Sequence, residues 1–404
     1  MSHPHETQRL RSLTVILIGL VLIGLTSALA AGCSESAPAA TPTPTRTPPP
    51  SVPPTSTPEP SPTPSPTRTW TPTPTLTPSP TPWPENVNPL TGEVVDDPSK
   101  LDRVPVAIKV ANTWPQYVRP QAGIGSADLI YEHYNEGWYA TRWTCIYLGE
   151  SPERVGSIRS GRIIDLEIPA MYSAVFANSG FSNGVVALFR NSDLYPDWVV
   201  SDSLPETIQP RPFFRDHSRN VPLEHTMFTS PALVREWANE RGIEGRQNLE
   251  GMTFSEEPPS GGTSATTISI PWHGQDTAWR YDEESARYLR WSDGSAHRDA
   301  LTGEQLDAAN VVVLYVPQWN TDIVEDPHSG ALSIRWALWN KDNPYRPAIL
   351  FRDGKRYDGI WNREDRHDML TLADEEGNTL PFKVGSTFFE VLPQGERAIE
   401  ITVE

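Results

Sequence analysis

Cysteine is almost absent: Cys33 and Cys145 are the two in 404 residues. That is too few for a disulfide framework, so the fold must hold by burial and hydrogen bonding. Basic charge is short as well. Lys and Arg number 33 against 51 Asp and Glu, a formal net charge of -18 that no Lys/Arg block interrupts. Long-range repulsion of phosphate backbones disfavours nucleic acid as a partner class, and none is expected. No G-x-S-x-G elbow occurs, no His/Cys/Asp/Glu grouping follows zinc or calcium-loop spacing, and nothing repeats at a fixed period. No cofactor or metal is implied.

Proline is plentiful but unevenly placed. About half of it falls between Pro38 and Pro84, in runs such as TPTPTRTPPP that hold too little apolar surface to offset the entropy of ordering a core. Ahead of this stretch, Arg9 and Arg11 precede LTVILIGLVLIGLTSALAAGC, a charged segment, an apolar run and small residues that read as an export signal over 1–32. Its length would also allow a transmembrane helix. Ala30, Ala31 and Gly32 before Cys33 resemble a bacterial lipobox, with Ala30 where leucine is more frequent. On that reading Cys33 takes a lipid, the chain is anchored to the cell membrane on its extracytoplasmic face, and 33–87 is a tether. About fifty such residues at ~3.1 Å each reach on the order of 150 Å, enough to cross a cell wall.

From Asn88 the composition turns globular. VPVAIKVAN reads as a strand, ADLIYEHYN and YATRWTCIYLG as a hairpin, and SAVFANSG as a buried strand. SGRIIDLEIPAMY fits a short helix ended by Pro169. TSPALVREWANERGI is a clear helix, with Ser230 as N-cap, Pro231 in the first turn and Gly242 as stop. The Pro/Gly-rich residues 255–265 mark a break, after which short strands and Asp-Gly turns dominate. The expected class is α+β: a mixed α/β N-terminal domain over 88–250 and a mostly antiparallel β domain over 262–404.

Several stretches together resemble the YerB family of bacterial lipoproteins, also called DUF3048. They are NPLTGE at 88, RPQAGIGSADLIYE at 119, RVGSIRSGRIIDL at 154 and HTMFTS at 225, then WRYDEESARYLRWSDGSAHRDALTGEQLDAANVVV from 279 and GIWNREDR from 359. The resemblance implies a two-domain layout, export and surface lipidation, and carries no established reaction or ligand. One departure is Gly161, where the family more often has Ala.

Arginines concentrate in the first domain, and two readings stay open for them. Arg119, Arg142, Arg159 and Arg162, with Glu132, Ser160 and His225, could line a cleft for a small anionic or wall-derived ligand, helped by a helix starting near Ser160 that puts Arg159 and Arg162 on one face. Alternatively the arginines pair with local acids such as Asp128, Glu132, Glu136 or Asp165. An envelope binding or scaffolding module follows from the first. A wall hydrolase or glycosidase is the alternative, with Ser160, His225 and Asp165 as a triad or Glu132 and Glu136 as a carboxylate pair. His297 and Asp299 lie two apart without a metal-site spacing, and His297 is expected to order its own turn. Trp279, Trp291, Trp336, Trp339 and Trp361 could stack on sugars or fill the core.

Overall fold

The computed structural model describes residues 83–339 and 346–404. The expected export signal, Cys33 and most of the tether lie outside these residues. No helix among the described residues is long and apolar enough to cross a membrane.

An eleven-stranded sheet forms the spine. From one edge it runs Thr371–Ala373, Lys355–Asn362, Pro347–Arg352, Asn310–Val316 and Thr387–Pro393, then Leu129–Tyr134, Thr141–Tyr147, Val106–Ala111, Val175–Asn178 and Val199–Ser201, while the eleventh, Thr263–Ser264, pairs with Lys355–Asn362 off this path. The central joint is parallel: Thr387–Pro393 pairs with Asn310–Val316 on one side and Leu129–Tyr134 on the other. Residues 255–265 are a largely exposed connection, yet strands from before and after it join in this one sheet. The two sequence segments therefore share a core.

Burial follows the residue pattern. Val106–Ala111, Thr141–Tyr147 and Thr387–Pro393 are buried at every position, as continuous apolar runs covered on both faces should be. Thr267–Trp272 and Arg287–Ser292 alternate instead. They belong to a six-stranded sheet with one covered face. One of its hairpins turns at Asp293-Gly294, and Asp353-Gly354 closes one in the main sheet, with both residues of each pair at positive φ, the left-handed geometry that makes Asp-Gly favourable there. Cys145 is fully buried as a free thiol.

Helices are few. Pro231–Asn239 begins as read, with Ser230 accepting from the Leu233 amide at 3.2 Å. The helix expected from Ser160 differs. Backbone N–H groups of Arg159 and Gly161 donate to the Lys109 and Gly180 carbonyls, which keeps this stretch extended, and a 3-10 turn spans Ile163–Leu166 with Arg162 at its N-cap. Arg159 and Arg162 thus precede the turn and share no helical face. Pro169 sits at the start of the next helical turn, Ile168–Met171, because a proline lacking its N–H is tolerated in a first turn.

Candidate functional site

Strand register sorts the polar residues onto two faces. Lys109 pairs with Thr144 and Arg142 with His133, so these four side chains share one face. Glu132 lies opposite Trp143 on the other.

On the first face Lys109 is fully buried. Its Nζ lies 2.8 Å from Asp165 Oδ1, 2.9 Å from Thr144 Oγ1 and 2.6 Å from His133 Nε2. His133 Nδ1 is 2.8 Å from the Tyr134 carbonyl. A carbonyl can only accept, so Nδ1 carries the hydrogen and Nε2 accepts from Lys109. Burial pulls the Lys109 ammonium down to about 8 against the opposing pull of Asp165. Asp165 also accepts from the Arg162 amide at 2.7 Å and from Thr144. Both of its oxygens are engaged.

Next to this core stand Arg142 and Arg162. Arg162 Nε donates to Glu136 Oε2 at 2.6 Å, and its Nη1 to the Gly161 carbonyl at 2.9 Å. Arg142 Nη1 donates to the Ser160 carbonyl at 2.6 Å, and its Nη2 lies 3.7 Å from Glu136 Oε1. Burial would raise the Glu136 carboxyl, but Arg142 and Arg162 hold it at about 2. Burial and the neighbouring Arg162 bring Arg142 down to about 9.

Arg159 is different. Half-buried, it has one side-chain hydrogen bond among the described residues, to the Glu224 carbonyl at 3.0 Å. No described carboxylate lies within ion-pair distance of it. With Arg142 it lines a cleft of about 590 Å³, together with Asn112, Thr141, Glu136 and the aromatic pair Trp114 and Tyr139. These two rings are 50 % and 47 % exposed, with centroids 5.9 Å apart. Asp326, Ser329 and Ala331 reach the cleft from the tip of a hairpin of the second segment, Gln318–Asp326 with Ala331–Trp336.

The remaining candidates are placed elsewhere. Arg119 donates to Asp293 at 2.6 Å and to Gln275 at 3.1 Å, joining the two segments outside the cleft. Ser160 contributes its carbonyl. His225 is buried, stacks on Tyr117 and makes no side-chain hydrogen bond among the described residues, and burial together with Arg159 lowers it to about 4. It has no bond to Asp165, so the triad geometry is not assembled. Glu132 is fully buried on the far face, accepting from Asn112 at 2.7 Å, Thr141 at 2.5 Å and Gln275 at 2.7 Å. Its ionic partner is Arg290 at 2.5 Å, and none of the clustered arginines. Separated from Glu136 by the sheet, it does not form a carboxylate pair with it. His297 and Asp299 also reach across: His297 to Gln121 at 2.8 Å, Asp299 to the amides of Gly123 and Gly125 at 3.0 and 2.9 Å.

Sequence reading missed Lys109, His133, Arg290 and Glu390. The available signal was a lone ionisable residue inside an apolar strand, as in VAIKVA and TFFEVLP, since such residues are rarely buried without a partner.

An α+β protein is thus defined, its two segments joined in one sheet by strand pairing and its second sheet held to the first by the buried Arg290–Glu132 pair. Residues 90–244 match the N-terminal domain, and residues 268–389 the C-terminal domain, of the family described as protein of unknown function DUF3048. The chain belongs to that family. It is similar, at 23% identity over 314 residues, to YerB of Bacillus subtilis (strain 168), named as a lipoprotein; the match covers 77% of this chain and 87% of that one. The crystal structure of YerB from Bacillus subtilis shares the fold, with a TM-score of 0.62 at 22% identity, over 78% of this chain and 99% of the other.

Proposed function

We propose that this chain is an envelope-anchored binding lipoprotein, tethered through Cys33, whose cleft takes a small anionic ligand on Arg159, with Arg142 beside it as fixed positive charge. The observation that carries this reading is Arg159, a half-buried guanidinium in a concave site without a carboxylate partner among the described residues. Neighbouring arginines are saturated by Glu136 and by loop carbonyls, which leaves this one to seek a charge from outside. Guanidinium recognises carboxylate and phosphate by paired, planar hydrogen bonds. Asn112 and Thr141 are committed to Glu132, so recognition of charge falls to Arg159, and Trp114 with Tyr139 gives the ligand an apolar wall. A lipobox-like Cys33 and similarity to a protein named as a lipoprotein support the anchoring.

Thermal-shift measurements on the detergent-solubilised full chain test the binding part, with phosphate, small carboxylates and soluble muropeptides as probes. A true ligand at roughly 100 Kd stabilises the folded form by about 2.7 kcal/mol. The stabilisation should vanish in Arg159→Gln. If no probe raises the melting temperature, or Arg159→Gln keeps the shift, the cleft is not an anion site.

A further inference from the structure

A second concavity, of about 720 Å³, lies at the other end of the hairpin whose tip reaches the arginine cleft. Its volume is within the roughly 300–1,000 Å³ range of small-molecule sites. Trp319 and Trp339 line it and are 52 % and 42 % exposed. Indoles left this open in a concave site are unusual, since burying one is among the largest favourable terms a side chain offers. Trp319 is the cross-strand partner of Arg335, so indole and guanidinium project from the same face of the hairpin.

Charge decides what could sit there. The acids of the groove are already neutralised: Asp193 accepts from Arg366 at 2.7 Å and from His367 at 2.9 Å, and Glu167 pairs with Arg366 at 3.2 Å and with Arg363 at 3.3 Å. Among the described residues, Arg335 has no side-chain hydrogen bond or ion pair, and Asn191 spends its amide nitrogen on the Ala187 carbonyl while its oxygen accepts from no partner. An open arginine beside the indoles repels a cationic ligand, which otherwise would be the natural guest of exposed tryptophans. A nucleic acid strand is disfavoured by the net charge of -18. A purely apolar guest would strand the guanidinium and the amide. What remains is a ring with an apolar C–H face and hydroxyls around its edge.

We propose that the groove formed by Trp319, Trp339 and Arg335 is a glycan-binding site, in which a pyranose ring stacks on indole while Arg335 and Asn191 hydrogen-bond its hydroxyls. The site is separate from the arginine cleft, and it places a carbohydrate foothold on a different part of the same hairpin.

The test uses the detergent-solubilised full chain, titrated with tetra-N-acetylchitotetraose and with maltotetraose, followed by tryptophan emission and calorimetry. At least one oligosaccharide should bind, with affinity falling about tenfold or more in both Trp319→Ala and Arg335→Ala. Trp319→Phe, which keeps an aromatic face, should retain part of the binding. Arg159→Gln should leave glycan binding unchanged, which separates this site from the anion cleft. Absence of binding by either sugar at millimolar concentration overturns the proposal, as does binding that survives Trp319→Ala. So does association with phosphatidylcholine vesicles that depends on Trp319 in a chain that binds no sugar, because the indoles would then face a bilayer.

Discussion

Glu132 and Glu390 stand opposite each other in register across the parallel joint of the main sheet, both fully buried, and share the single guanidinium of Arg290. Arg290 is enclosed by Trp143, Trp279 and Phe388, whose ring centres lie 5.2, 5.1 and 4.7 Å from its guanidinium carbon. Two carboxylates against one cation leave an excess negative charge in a dry interior, so the arrangement favours a proton on Glu390. Burial and the nearby Glu132 raise its pKa, against the opposing pull of Arg290.

The first prediction follows from that proton. A carboxyl whose folded pKa is raised above the ordinary 4.5 binds a proton the unfolded chain has released, so stability falls as pH rises above that value. Lys109, lowered from 10.5 to about 8, acts with the opposite sign, but only above about 8. Between pH 6 and 8 the melting temperature should therefore decline in the native chain and flatten in Glu390→Gln. Equal slopes in the two would mean that Glu390 is ionised.

Removing Arg290 is a harsher change. Arg290→Met leaves Glu132 and Glu390 buried without their cation, and breaking such a pair typically costs ~3–5 kcal/mol. Denaturant unfolding should show that loss, whereas Arg290→Met combined with Glu132→Gln and Glu390→Gln should recover much of it.

Arg159 and Arg162 should separate in the same assay. Arg162→Gln strips a buried partner from Glu136 and should cost ~3–5 kcal/mol. Arg159→Gln removes one bond to a carbonyl and should change stability by less than about 1 kcal/mol while abolishing anion binding. Equal large losses in both would make the whole cluster structural.

Acid should weaken the cleft region in two stages. His225, lowered from 6.5 to about 4, contributes stability that is complete above pH 6.5 and is lost as pH falls through 4. Glu136, lowered from 4.5 to about 2, contributes stability present above 4.5 and lost towards 2. Melting curves of His225→Gln should show a shallower first stage, the remainder coming from buried His133 and His297, which burial also holds well below 6.5, and should keep the second.

Gly161 can be read the same way. A Cβ there would run into the Phe181 ring, and overpacking of this kind costs typically ~1–3 kcal/mol. Gly161→Ala should be destabilising alone and better tolerated with Phe181→Leu, measured as a double-mutant cycle. An additive result would mean that the ring moves aside freely.

Much of the architecture was legible because period and turn chemistry are local properties. VPVAIKVAN, the Leu129 to Tyr147 hairpin and the Ser230 cap all announce themselves within a dozen residues. The strand Gln318–Asp326 did not, because its acids look like a loop when read alone, none of its residues is fully buried, and only pairing with Ala331–Trp336 makes it a strand. Site residues divide along the same line. Arg142, Arg159 and Arg162 were found through clustering in sequence, but which of them is free depends on Glu136 and on carbonyls that folding brings near. Arg290 lies 158 positions from Glu132 and Glu390 a further 100. Nothing local could have joined them. Trp319 escaped notice because exposure, the property that singles it out, exists only in the folded chain.

The parallel joint also sets an order of events. Leu129–Tyr134 is flanked on one side by Thr387–Pro393, so the early segment cannot complete its sheet until a strand some 250 positions later has been made. Contacts of such long sequence separation form slowly. Until then the Leu129–Tyr134 edge and the Glu132 carboxylate stand open to water. A chain threaded through a membrane while still growing would thus stay pliant during passage, and would lock only once its far strand had arrived on the same side.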